Sequence, residues 1–275
     1  MSIQMILLDL DGTLLTSGKL LSGGNRAALE EAAARGVHIV PSSGRFYGGM
    51  PQAVRELPFV RYAVAINGAQ IYDAREDRVL RRAEIPAEDA DRLFQRMEEL
   101  PVLYDCFIDG WGCMDRRHYE RAAEFIADPE VRRLVLELRR PVEDLRGYVR
   151  RTGRPVQKTQ MFFRDMAGRD AEMERMIRDF PDMSVTSSVP TNIEINAKSA
   201  SKGEGLLFLC RHLGVDPRDT MACGDGSNDL SMLRAAGVGV AMANADPLLL
   251  AAADYVTDSN DNDGVAKAIR RFCLD

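Results

Sequence analysis

The sequence is poor in everything that would staple, anchor or repeat a chain. Its five cysteines (Cys106, Cys113, Cys210, Cys223 and Cys273) are odd in number, scattered, and form no Cys-x-x-Cys pair. That argues against a disulfide framework or a thiolate zinc site and points to a reducing cytoplasm. The three histidines, His38, His118 and His212, show no metal spacing. No apolar run approaches membrane-spanning length. The first one, Met5-Ile6-Leu7-Leu8, meets Asp9 at once and is too short and too charged for a signal peptide. Internal repeats and low-complexity linkers are missing. Positive charge is in deficit, with 36 basic against 42 acidic residues and a net charge of -6, so the whole molecule repels nucleic acid and anionic membranes.

What remains is an ordinary globular mixture, 45% hydrophobic and 28% charged over 275 residues, enough for one large or two modest domains. Short apolar runs alternate with helical patterns in the first third, as in βαβ units with a parallel sheet. Met5 to Leu10 reads as a buried strand, Asn25 as the cap of a helix reaching Arg35, and Val37 to Val40 and Tyr62 to Ile66 as further strands. The last third repeats the pattern with Ile193-Glu194-Ile195 extended, Lys202 to His212 helical, Met221 to Cys223 extended, Asp229 to Ala236 helical and Val238 to Met242 extended. Between them the texture changes, with a helix over Ala87 to Leu100 and extended runs at Val102 to Ile108 and Gln160 to Phe163. The expected organisation is a core over 1–81 and 190–275, interrupted by an insertion over 82–189. The expected fold class is α/β, a Rossmann-like three-layer core with a mainly parallel sheet and an inserted α/β cap.

Asp9-Leu10-Asp11-Gly12-Thr13 stands where a buried strand runs into a loop, the position at which open α/β sheets bind ligands. A solvated turn is the plainer explanation of Asp and Gly there. Gly224-Asp225-Gly226-Ser227-Asn228-Asp229 again follows an apolar strand and precedes a helix. Its oxygen-bearing side chains suit a hard cation such as Mg²⁺, although one of them is expected to serve as a helix cap. Ser42-Ser43-Gly44-Arg45 and Ser201-Lys202-Gly203 add hydroxyls, backbone N–H groups and a lysine at a helix start, the ingredients of a phosphate site.

These four segments together resemble the motifs of the haloacid dehalogenase-like superfamily of aspartate-nucleophile phosphatases. Asn67-Gly68-Ala69, Asp229-Leu230-Ser231-Met232-Leu233, Ala241-Met242-Ala243-Asn244-Ala245 and Asp263-Gly264-Val265-Ala266 are similar to its Cof-like branch, whose cap is inserted between the second and third motifs. The resemblance implies an aspartyl-phosphate mechanism with Asp9 as nucleophile and Asp11 as acid and base, provided that its surroundings keep a proton available near neutral pH. It implies Mg²⁺ held by Asp9 and Asp225, by Asp11 through its backbone carbonyl, and by Asp229. Ser43, Gly44, Lys202 and Asn228 would hold the phosphoryl group, Asn228 also helping to orient the metal ligands. Arg45, Asn67 and Trp111 are candidate substrate contacts. Ser43 replaces the threonine of many relatives and keeps the hydroxyl.

The implied function is Mg²⁺-dependent hydrolysis of a small phosphorylated metabolite, a sugar phosphate or a phosphorylated cofactor or precursor, by a monomer or small homo-oligomer without nucleic-acid or membrane partners. Two alternatives are a phosphotransferase or phosphomutase using the same intermediate, and a catalytically silent metabolite sensor. Inside the insertion, Val131 to Lys158 carries nine basic and three acidic residues, a local charge of +6. It reads either as a solvated helix face or as an attractor for a second anionic group of the substrate. Trp111, the only tryptophan, reads as packing within the cap or as a cover for the site.

Overall fold

The computed structural model describes residues 2–274. They divide into two compact units: one holds the chain up to Arg81 and from Ser201 onward, and the other holds Arg82–Ala200. In the first unit, strand β1 (Met5–Leu8) is buried at all four positions, as a central strand covered on both faces must be. Helix α1 (Gly23–Ala34) follows, then β2 (His38–Pro41) and the short α2 (Gln52–Arg55). Ser22, not Asn25, caps α1: its hydroxyl accepts from the Asn25 N–H at 3.1 Å, which places Asn25 inside the helix and buries it.

Strands β3 (Tyr62–Ala65), β4 (Gln70–Asp73) and β5 (Arg78–Arg82) form a separate three-stranded sheet. The expected third parallel strand is therefore antiparallel to its principal partner, β4. It keeps a parallel bridge to the extension of β2 at Ser42 and Val64, where the Ser43 N–H donates to the Val64 carbonyl at 2.8 Å.

The inserted unit contains α3 (Ala87–Glu98), β6 (Leu103–Ile108), β7 (Trp111–Asp115), α4 (Arg116–Glu120), α5 (Pro129–Glu137), β8 (Arg139–Val142), α6 (Leu145–Thr152), β9 (Lys158–Phe162), α7 (Met166–Asp179), β10 (Met183–Thr186) and β11 (Asn192–Ala197). Its six strands run in the order β10-β11-β9-β6-β7-β8, antiparallel except for β7 with β8. Alternation along the strands gives the sheet two characters. Tyr104, Cys106, Met161, Ile193 and Ile195 join Leu93, Phe94, Leu145 and Val149 in an apolar core. The intervening Asp105, Lys158, Gln160 and Glu194 are buried and polar, joined by Arg139–Asp105 at 2.9 Å, Gln160–Asp105 at 2.8 Å and Lys158–Glu194 at 2.8 Å. The sequence boundary at 189 falls short, because Ile193-Glu194-Ile195 pairs with β9 and the unit runs on to Ala200.

The chain then returns to the first unit with α8 (Lys202–Leu213), β12 (Thr220–Gly224), α9 (Leu230–Ala235), β13 (Val238–Ala241), α10 (Pro247–Ala252), β14 (Tyr255–Val256) and α11 (Gly264–Ile269). The main sheet has the order β14-β13-β12-β1-β2 and is parallel throughout. Met5, Leu7, Val40, Leu206, Leu209, Ala222 and Met232 pack into one core from both halves of this unit. Burying each side chain of this size contributes roughly 1.5–3 kcal/mol, so the two distant segments fold as one body. Leu8 lies opposite both Cys223 and Pro41, and that register brings the chain exits at Asp9, Asp225 and Ser43 to one sheet edge. No helix among the described residues is long and apolar enough to cross a membrane.

Candidate active site

At this edge β1 delivers Asp9, β12 delivers Asp225, and the first turn of α8 delivers Lys202. Lys202 is fully buried, and its Nζ lies 2.5 Å from Asp9 Oδ1 and 2.5 Å from Asp229 Oδ1. Ser201 caps this helix by accepting from the Glu204 N–H at 3.1 Å, which fixes where Lys202 begins. The other oxygen of Asp229 accepts from the backbone N–H groups of Asp225 and Gly226, both at 3.0 Å. Asp229 therefore shapes the β12 loop and orients the lysine. The Thr13 hydroxyl donates to Asp225 Oδ1 at 2.7 Å.

Asp9, Asp225 and Asp229 each place an oxygen within 4.8 Å of the others. Three carboxylates facing one ammonium leave the cluster two negative charges in excess, in a place largely stripped of water. Burial pushes Asp9 well above the usual carboxylate range; Lys202 opposes this, while Asp229 and Asp225 reinforce it. Burial, followed by the charge of Asp229, pushes Asp225 up to about 7. For Lys202, burial alone would favour the neutral amine, but Asp229 and Asp9 outweigh it and raise its pKa. A carboxylate-only donor set in which Asp9 and Asp225 resist losing their protons fits a hard divalent cation, which replaces those protons. Gly12, at φ +87°, lets the backbone come this close: a Cβ there would stand 2.3 Å from Asp225 Oδ2.

Asp11 is held differently. Arg45 grips it through Nε to Oδ2 at 2.9 Å and Nη2 to Oδ1 at 2.6 Å, and Lys19 adds Nζ to Oδ1 at 2.9 Å. Burial would raise its pKa, but Arg45 and then Lys19 outweigh burial and lower it. The condition attached to Asp11, a proton available near neutral pH, is not met in this arrangement: the side chain is a paired carboxylate. Arg45, expected as a substrate contact, is the principal partner of Asp11 in this structure. Lys19 went unrecognised in the sequence because it sits at φ 61° in the turn after the motif and meets Asp11 only through that turn.

Ser43 is buried, and its hydroxyl accepts from the Arg45 N–H at 3.2 Å, with Gly44 between them in the same turn. Ile66, Asn67 and Gly68 all have positive φ, a conformation that costs a β-branched residue on the order of 1–3 kcal/mol and concentrates at functional sites. It presents the Asn67 amide, whose oxygen accepts from Asn228 Nδ2 at 3.3 Å. The structure thus gathers Asp9, Asp11, Ser43, Gly44, Arg45, Asn67, Lys202, Asp225, Asn228 and Asp229 in one unit.

Trp111 belongs to the inserted unit. It is 46% exposed with the Arg140 guanidinium 3.7 Å from its ring centroid, so it is not a buried core residue. The basic segment keeps much of a solvated face, with the side chains of Arg150, Arg151 and Arg154 65%, 67% and 52% exposed, but these cations are paired. Arg146 binds Asp91 and Glu98, Arg150 approaches Asp91, Arg151 meets Asp144, Arg154 meets Asp109, and Arg139 and Lys158 hold buried carboxylates. Apart from Asp144, these carboxylates come from outside the Val131–Lys158 segment.

Comparison with known proteins bears on this site. A sequence model of haloacid dehalogenase-like hydrolases matches residues 6–269. The 5-amino-6-(5-phospho-D-ribitylamino)uracil phosphatase YcsE of Bacillus subtilis is 30% identical over 277 residues, covering 99% of this chain and 96% of that protein. Among solved structures, a haloacid dehalogenase-like hydrolase from B. subtilis superposes with a TM-score of 0.84 at 28% identity, covering 98% and 99% of the two chains. The subclass IIB sugar phosphatase BT4131 does so with a TM-score of 0.82 at 25% identity, covering 98% of each.

Proposed function

Because the chain belongs to the haloacid dehalogenase-like hydrolases, we propose that it is a Mg²⁺-dependent phosphomonoesterase acting through an aspartyl-phosphate on Asp9. The observation that carries this reading is Lys202 bridging Asp9 and Asp229 beside Asp225 at the sheet edge. Lys202 holds the Asp9 carboxylate in one orientation and leaves its second oxygen to attack phosphorus in line. The bond from phosphorus to the ester oxygen breaks, the alcohol departs, and water displaces Asp9 from phosphorus in a second step. A carboxylate nucleophile thereby divides one difficult hydrolysis into two easier displacements.

Asp11 is the candidate for proton transfer. As a paired carboxylate it is in the form needed to take a proton from the attacking water. Giving a proton to the leaving alcohol requires it to exchange Arg45 and Lys19 for the substrate. Such acid–base assistance is worth on the order of 10²–10⁴-fold. The Ser43 hydroxyl and the Asn228 amide would hold phosphoryl oxygens. Asp9 and Asp225, with Asp229 and the Asp11 carbonyl, would hold Mg²⁺, which when bound supplies charge neutralisation at the phosphoryl group.

For the organic part of the substrate, the two named relatives support a hydroxylated carbon chain, either a sugar phosphate or a phosphorylated cofactor precursor. A phosphate-release screen over such metabolites, with and without Mg²⁺, tests the reading. Mg²⁺-dependent release from some members is expected, and release unaffected by chelator would overturn it.

A further inference from the structure

The loop that carries Asp9 and Asp11 uses its own N–H groups for turn bonds: Leu14 N to Asp9 O at 3.2 Å and Leu15 N to Leu10 O at 2.9 Å. Three of its carbonyls are taken by asparagine amides, one from the following helix and two from the C-terminal part of the chain. Asn244 Nδ2 donates to Gly12 O at 2.8 Å, Asn25 Nδ2 to Leu14 O at 3.1 Å, and Asn260 Nδ2 to Leu15 O at 2.9 Å. Backbone donors fix the orientation of two of these amides: Asn260 N donates to Asn244 Oδ1 at 3.0 Å, and Ala266 N to Asn25 Oδ1 at 2.9 Å. The same C-terminal turn reaches the segment that carries Lys19. Asp261 accepts from Ser17 N at 2.8 Å and Ser17 Oγ at 2.7 Å, and Asp263 accepts from Ser22 Oγ at 2.5 Å.

We infer that Asn244, Asn25 and the turn 259–263 form a positioning clamp for the nucleophile loop, fixing Asp11 relative to Asp9 without touching substrate. The inference rests on the phosphatase reading for the roles of those two aspartates. Its physical basis is the glycine between them and Thr13. Gly12 lacks the side chain that restricts backbone rotation, so the peptide plane after it is held by two bonds, a long one of 3.4 Å from Thr13 N to Leu10 O and the one made to its carbonyl. Asn244 supplies that bond, and the same peptide leads to the Thr13 hydroxyl that holds Asp225. Asn25 and Asn260 are buried, so their bonds to Leu14 and Leu15 are made out of competition with water. Errors of about an ångström in the placement of reacting groups can cost up to about 10²-fold in rate.

The test is Asn244→Asp, which exchanges the donating NH₂ for oxygen and adds a negative charge at an exposed position, read beside Asn244→Ala, which removes the donor without that charge; both should shift exchange and kcat in the same direction. Asn260→Asp serves as the buried counterpart. Amide hydrogen exchange over residues 12–20 should rise about tenfold in Asn244→Asp while β1 and β12 keep their protection. With a substrate hydrolysed by the wild type, kcat should fall about tenfold and KM change less than twofold. Unchanged exchange over 12–20 overturns the clamp. Raised exchange with unchanged kcat overturns its positioning role. A wild type that releases no phosphate from any substrate removes the phosphatase reading and the positioning role with it, while the exchange result still decides whether the clamp exists.

Discussion

Arg45 and Asp11 form a two-bond pair, Nε to Oδ2 at 2.9 Å and Nη2 to Oδ1 at 2.6 Å, and Lys19 adds a third cationic contact on the same carboxylate. The residue that the family resemblance assigns to proton transfer is thus stored ionised, two positions along the chain from a nucleophile whose own environment favours protonation. Neighbouring aspartates of one loop are pushed in opposite directions, Asp9 up by burial and Asp11 down by Arg45 and Lys19, a separation that divides acid, base and nucleophile roles.

The pairing predicts a shifted pH profile. Lys19→Met removes one of the two cations that lower the Asp11 pKa, so that pKa must rise. The ionised form needed for the second step then appears at higher pH, and the acid limb of the kcat profile should move upward with the alkaline limb unchanged. An unmoved acid limb would take Asp11 out of the base role.

The carboxylate cluster predicts a linkage between pH and metal. Asp225 is raised to about 7, so the stability tied to its protonated form is full below the ordinary carboxylate range and is lost as pH rises through about 7. A divalent cation replaces the bound protons and reverses the loss. Thermal melts should show Mg²⁺ stabilising the protein more at pH 8 than at pH 5.5. Equal stabilisation at both values would contradict the assignment of Asp9 and Asp225 as its ligands.

Lys202→Met leaves Asp9 and Asp229 facing each other without their shared cation. Breaking a buried ion pair from one side costs about 3–5 kcal/mol, so chemical denaturation at pH 8 should show a loss of that order. Because burial already pushes Asp9 well above the usual carboxylate range, part of the loss should return at pH 5. A variant as stable as the wild type at pH 8 would mean that the three groups do not interact as their distances indicate.

The site was legible where its residues are local in sequence. Asp9 to Thr13 and Gly224 to Asp229 each follow a short apolar run, Met5 to Leu8 and Met221 to Cys223, and parallel register does the rest. What depended on contacts between distant segments was not legible. Asn25 has the composition of a helix cap, yet Ser22 takes that role and frees Asn25 to bridge Leu14 and Ala266. Ile193 to Ile195 has the pattern of a core strand, and its assignment to the inserted sheet depends on pairing with β9, which no local signal encodes. The charge of Val131 to Lys158 is unbalanced within its own sequence for the same reason: its partners Asp91, Glu98, Asp105, Asp109 and Glu194 lie outside that segment.

That pairing carries its own prediction. With Arg150, Arg151 and Arg154 each directed at a carboxylate of the inserted unit, neutralising all three should change KM for the best substrate by less than twofold. A rise of tenfold or more would restore the basic segment as an anion attractor.

The central claim is that Asp9 is the nucleophile, and mass spectrometry of acid-quenched enzyme during turnover tests it most directly. One phosphoryl group should be found on the peptide that contains Asp9, and Asn at position 9 should abolish both the adduct and Mg²⁺-dependent phosphate release while the protein remains folded. Turnover retained by Asp9→Asn, or a phosphoryl group on another residue, would contradict the account.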